Sequence, residues 1–141
     1  MNYIKNTPLG TLFHENKKES YHKKSIKAVL NDLLLPALTT YEGRIEATKR
    51  RFNMSHNVPL FINDSVCLFQ SHHLKAYDNV AINALNVIRV EAVNLQTKIY
   101  FKDGTTLFIN KPYQKLLKKY QKTLDFMNRL KKEDIFINSV I

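Results

Sequence analysis

Residues 97–132 read TKIYFKDGTTLFINKPYQKLLKKYQKTLDFMNRLKK, a hairpin signal followed almost at once by a long basic amphipathic helix. Thr97, Ile99 and Phe101 alternate with Lys98, Tyr100 and Lys102, as a half-buried strand requires. Asp103-Gly104 is expected to supply the positive-φ pair of a two-residue turn, and Thr105 to Ile109 returns as the second strand. Pro112 suits a first helical turn, where its missing N–H costs nothing. Beyond it Tyr113, Leu116, Leu117, Tyr120, Leu124, Met127 and Leu130 recur on one helical face, which can cover the sheet that the hairpin starts. Lys111, Lys115, Lys118, Lys119, Lys122 and Arg129 are left for the water side. Taken alone, that row reads first as the surface of a solvated helix, because lysine is a good helix former.

The whole-chain charge weighs against the plain reading. With 22 Lys and Arg against 12 Asp and Glu in 141 residues, the formal net charge is +10. Such an excess attracts polyanions, either nucleic acid or an anionic membrane surface. An apolar fraction of 44% is ordinary for one folded domain. No apolar run has the length of a signal-peptide core or of a spanning helix, so a cytoplasmic protein is expected. Cys67 is the only cysteine, which excludes an internal disulfide.

Upstream, residues 1–24 mix Asn6, Thr7, Pro8 and Gly10 with a charged run from His14 to Lys24 and are expected to form a mobile arm. Ser25 caps a short helix with Ile26, Val29, Leu30, Leu33 and Leu34 on one face, stopped at Pro36. Tyr41-Glu42-Gly43-Arg44 reads as a turn, and Ile45, Thr48 and Phe52 follow at helical spacing beside Lys49, Arg50 and Arg51. Ser55 to Pro59 breaks the helix, since the residue before proline is pushed toward extended geometry. Leu60–Ile62 and Ser65–Gln70 form two strands around Asn63-Asp64, residues 71–79 form a loop, and Asn86–Val93 forms another strand. Several short strands before one long helix predict an α+β fold, an antiparallel sheet or a small bent barrel of pleckstrin-homology type, covered by the last helix. One domain over 25–132 and a tail over 133–141 complete the layout.

Catalytic constellations are weak. His72 and His73 with Cys67 and His56 lack the paired spacing of a zinc site, and adjacent histidines on an extended segment point apart. His56 reads as a turn-stabilising side chain and Cys67 as a small buried hydrophobe. None of the three glycines forms a phosphate cradle, so no enzyme, cofactor, metal or small-molecule substrate is expected. Aromatic stacking of single-stranded nucleic acid by Tyr100, Phe101, Tyr113 or Tyr120 is disfavoured, because Phe101 and Tyr120 sit at core positions.

Two spaced elements, Tyr41-x-Gly43-Arg44 and Ser55-His56-x-x-Pro59, with the strand Val66–Phe69 and the Asp103-Gly104 hairpin ahead of Tyr113, resemble the ComK family, competence transcription factors of Gram-positive bacteria. The likeness runs over about residues 25–130 and reads as a short, divergent member. It implies a transcriptional activator that binds AT-rich double-stranded DNA through the minor groove, acts as a homo-oligomer and is controlled by a proteolytic adaptor. The helix row would then be a phosphate rail, and Arg44, Lys49, Arg50 and Arg51 would reach a narrow, electronegative groove. For Arg44 a role in holding its own turn is an equal reading. The rival readings are a protein-interaction or anionic-membrane module, and a regulator that titrates a full-length ComK protein.

Overall fold

The computed structural model describes residues 1–140, with side chains through Glu133, so of the tail expected over 133–141 all but Glu133 falls outside the side-chain description. The chain order is β1 (Tyr3–Thr7), β2 (Gly10–Glu15), β3 (Lys18–His22), α1 (Ile26–Leu34), α2 (Tyr41–Phe52), β4 (Leu60–Asn63), β5 (Val66–Gln70), β6 (Val80–Asn83), β7 (Val87–Val93), β8 (Gln96–Phe101), β9 (Thr106–Ile109) and α3 (Tyr113–Val140). The fold is α+β. Two open antiparallel sheets, ordered β3-β2-β1-β6-β5-β4 and β7-β8-β9, take the place of a closed barrel.

The larger sheet separates two apolar layers by simple alternation. Ile4, Leu68 and Ala81 face α1, joining Ile26, Val29, Leu30 and Leu34. Tyr3, Phe69, Val80 and Ile82 face the other way, onto Ile99, Phe101 and Ile109 of the small sheet and Leu116 of α3. α3 packs on β5, β7 and β8, so it spans the seam between the sheets instead of covering only the hairpin it follows. A third cluster of Phe52, Cys67, Phe126 and Met127 joins the end of α2 to the middle of α3, with Phe52 and Phe126 edge to face at 4.9 Å.

Residues 1–24 are no arm. They supply three strands, of which β1 is central and paired on both edges, Tyr3 to His14 on one side and Tyr3 to Ile82 on the other. Composition misleads here because the stretch buries polar side chains, Asn2, Thr11 and His14, whose partners are remote. Asn2 Nδ2 donates to Asp103 Oδ2 at 2.9 Å, and Thr11 Oγ1 donates to the Lys24 carbonyl at 2.9 Å. Buried Asn83 secures the N-terminus: its amide donates to the carbonyls of Met1 and Ser65 while its oxygen accepts from the Cys67 amide at 3.1 Å. Gly10 (φ +138) closes the first hairpin where a Cβ would stand 2.2 Å from the His22 carbonyl oxygen, so no larger residue fits.

Tyr41–Arg44 is helix, not turn. Thr40 Oγ1 accepts from the Gly43 amide at 3.1 Å and Asn31 Oδ1 accepts from the Tyr41 amide at 2.7 Å, so the first turn of α2 is capped from both its own chain and α1. The turn between β8 and β9 also differs from expectation, since Gly104 alone takes a positive φ (+89) and Asp103 does not. The Phe101 carbonyl accepts from the Gly104 amide at 3.0 Å, and the Phe101 amide donates to Thr105 at 2.9 Å, giving a type I turn with a glycine bulge. Ser25 caps α1 as expected, accepting from the Ala28 amide at 3.2 Å.

Candidate nucleic-acid interface

α3 carries its lysines along a wall that two loops face. The chain between α2 and β4 and the chain between β5 and β6 approach it, and together with Lys49 of α2 they enclose a cleft of about 710 Å³. Five lysines line it, Lys49, Lys111, Lys115, Lys118 and Lys119, with His56, His72 and His73 and no carboxylate. Periodicity places the α3 row. It does not reveal that the loops wall it in, because their approach depends on contacts distant in sequence.

A second cleft of about 650 Å³ continues toward the far end of α3, lined by Lys122, Arg129 and Lys132 with Phe52, Met54 and Phe126 as its apolar floor. It holds one carboxylate, Asp125, and Ser55 borders both clefts. Lys115 to Lys132 spans about 25 Å of helix at 1.5 Å per residue. The result is a continuous basic track along one side of the molecule.

Not every cation expected there is free to meet an anion. Lys119 is half-buried, and its ammonium donates to the carbonyls of Gln70 at 3.0 Å and Ser71 at 3.2 Å. Burial, with Lys111 nearby, lowers its pKa. Lys122 donates to the His56 carbonyl. Lys111, Lys115 and Lys118 make no ion pair among the described residues.

The arginines divide in the same way. Arg44 is half-buried with its guanidinium 5.6 Å from the centre of the Phe61 ring, and its Nε has no hydrogen-bond partner. That position suits packing against β4 better than reaching outward. Arg51 pairs with Glu133 at 2.8 Å, and Arg51 and Arg129 stand 5.4 and 5.0 Å from the Phe52 ring centre. Arg50 is 80% exposed, held only by an i,i+4 pair with Glu46 at 3.1 Å.

One arrangement resembles catalytic machinery without its reach. Ser71 Oγ lies 2.8 Å from His72 Nδ1, and His72 Nε2 lies 3.4 Å from Asp78 Oδ2. Ser71 is fully buried, however, and its oxygen accepts from the Val80 amide at 2.8 Å. The trio fastens the 71–79 loop to β6 and offers no nucleophile to a substrate. Cys67 is likewise shut in, its thiol pushed up to about 12 by burial. His56 contributes a carbonyl, not its ring, to the loop's anchorage, so the expected turn-stabilising side chain is an exposed imidazole. Among the described residues no group of three metal-ligating side chains converges, and no helix is long and apolar enough to cross a membrane.

The aromatic side chains sort as periodicity indicates for Phe101, which is 1% exposed, and Tyr120, which packs on the same cluster. Tyr100 is occupied otherwise, with Arg89 and Lys98 each 4.8 Å from its ring centre.

A family model described as ComK protein matches residues 2–134, and so includes the N-terminal strands. No curated protein and no solved structure matches the chain.

Proposed function

Since the chain belongs to the ComK family, a family of competence transcription factors, we propose that it acts by binding AT-rich double-stranded DNA along the basic track of α3. The observation that carries this reading is the first cleft, with five lysines and no carboxylate on its walls. Lys49, Lys111, Lys115 and Lys118 meet phosphates, and each phosphate neutralised releases condensed counterions. Arg50 is exposed on α2 but lines neither cleft, while Lys119, Arg44 and Arg51 hold the protein elements that present the lysines. A track of about 25 Å falls short of a duplex turn of about 34 Å. Action as a homo-oligomer, which lengthens the contact, belongs to the same reading.

A gel-shift series with AT-rich and GC-rich duplexes at two salt concentrations tests it. Four free lysines predict that log K falls against log salt with a slope of roughly −3 to −4, with the AT-rich duplex preferred. Equal affinity for the two duplexes reduces the protein to a non-specific binder. Capture by anionic vesicles without any duplex binding overturns the proposal in favour of a membrane-surface module.

A further inference from the structure

The loop that separates the two clefts has the construction of a reading element. It joins α2 to β4 and is anchored at both ends, by Phe52, 4% exposed, and by buried Pro59 and Leu60. Between the anchors Asn53 (φ 52) and Asn57 (φ 49) both adopt the left-handed conformation, which asparagine tolerates better than most residues. Ser55, His56 and Asn57 form an exposed tip, and Lys122 supports it from α3 through the His56 carbonyl.

Cations stand on both sides of this tip. Lys118 lines the first cleft and Arg129 the second, eleven positions apart on one helix, or about 16 Å. That separation straddles a duplex minor groove about 6 Å wide, reaching the phosphates of either strand. A three-residue tip is also much narrower than the helix of roughly 10–12 Å that fills a major groove.

Resting on the DNA-binding reading above, we infer that the Ser55–Asn57 tip enters the minor groove and that His56 and Asn57 distinguish A·T from G·C pairs there. An A·T pair shows the minor groove only acceptors, adenine N3 and thymine O2, to which the Asn57 carboxamide and the His56 imidazole donate. A G·C pair adds the guanine amino group, a donor that projects into the groove where these donors would lie. Narrow A·T tracts further attract a histidine through their enhanced negative potential.

Replacing guanine by inosine tests the inference, because it removes that amino group and leaves the major-groove edge of G·C intact. The full chain is titrated with A·T, G·C and I·C duplexes of equal length. Wild type is expected to bind I·C within about twofold of A·T and G·C at least tenfold more weakly, about 1.4 kcal/mol. His56→Ala with Asn57→Gly, which keeps the left-handed backbone, is expected to bind all three duplexes alike at the G·C level. Lys115→Ala with Lys118→Ala weakens all three equally and preserves their ranking. Ranking of I·C with G·C, or a tip variant that keeps its A·T preference, overturns the inference while the DNA reading stands. Binding to no duplex at all overturns both.

Discussion

Arg51 and Glu133 tie the end of α2 to α3 at the far end of the basic track: the Arg51 Nη2 and Nε both donate to Glu133 Oε2, at 2.8 and 2.9 Å. The guanidinium that composition offers to a DNA groove is thus engaged in holding the end of α2 against α3. Both side chains are nearly half exposed (48% and 41%), so the pair contributes less than about 1 kcal/mol to stability.

Glu133→Gln should therefore free a cation at small structural cost. Duplex affinity is expected to rise two- to fivefold, the effect of about 0.5–1 kcal/mol for one more charge at the surface, with the melting temperature nearly unchanged. Fluorescence anisotropy at low salt measures this, and unchanged or weaker binding would show that Arg51 faces away from the bound DNA.

The N-terminal strands lead to a second expectation. Ile4 is fully buried in a central strand, whereas Lys5 beside it is exposed. Ile4→Ala should cost about 2–5 kcal/mol, and Lys5→Ala less than about 0.5 kcal/mol, both read from urea midpoints. Deletion of residues 1–24 should leave β6 with β5 as its one remaining neighbour and the chain unfolded. A truncated chain with a cooperative transition would count against the central place of β1.

How far the sequence disclosed this architecture depends on how local each signal is. The β8–β9 hairpin, α1 with its Ser25 cap and the face of α3 that carries Leu116, Tyr120, Leu124 and Met127 are all legible, because period and turn chemistry act within a few residues. The strands β1 to β3 are not. Their buried Asn2, Thr11 and His14 look like loop residues until Asp103 and the Lys24 carbonyl are brought to them. β6 is four residues long, too short for a period to show, and its two faces are buried by α1 on one side and by the small sheet with α3 on the other. The lysine row was legible in the same local sense. Its enclosure by residues 55–58 and 72–74, and the diversion of Lys119 and Arg51 to structural partners, follow only from the fold.

Stability should also fall at high pH through Cys67. Its thiol is raised by burial to about 12 in the folded chain, against roughly 8.5 when unfolded. Between those values the unfolded chain has released a proton that the folded one keeps. The contribution is whole below the lower value and is lost as pH rises toward the upper, by up to about 1.4 kcal/mol per pH unit. Tyr3, Tyr41 and Tyr120, raised chiefly by burial, act in the same direction at higher pH. Cys67→Ala should flatten the decline in urea midpoint between pH 8.5 and 10.5. An identical decline in the variant would assign the loss to other groups.

Lys118 and Lys119, neighbours in sequence, should separate in function. Lys118 is exposed on the first cleft, and Lys118→Ala is expected to lower duplex affinity three- to tenfold, to reduce the salt slope by about 1 and to leave the urea midpoint in place. Lys119 spends its charge on the carbonyls of Gln70 and Ser71, closing α3 against the end of β5. Lys119→Met keeps much of the aliphatic stem but removes both charged hydrogen bonds, at a cost of about 2 kcal/mol. It should leave the salt slope within about 0.3 of wild type, because that ammonium releases no counterion from DNA. Paired urea melts and salt titrations of the two variants decide the matter. A Lys119→Met protein that melts like wild type yet loses a full unit of salt slope would place Lys119 on the phosphates and reverse the assignment.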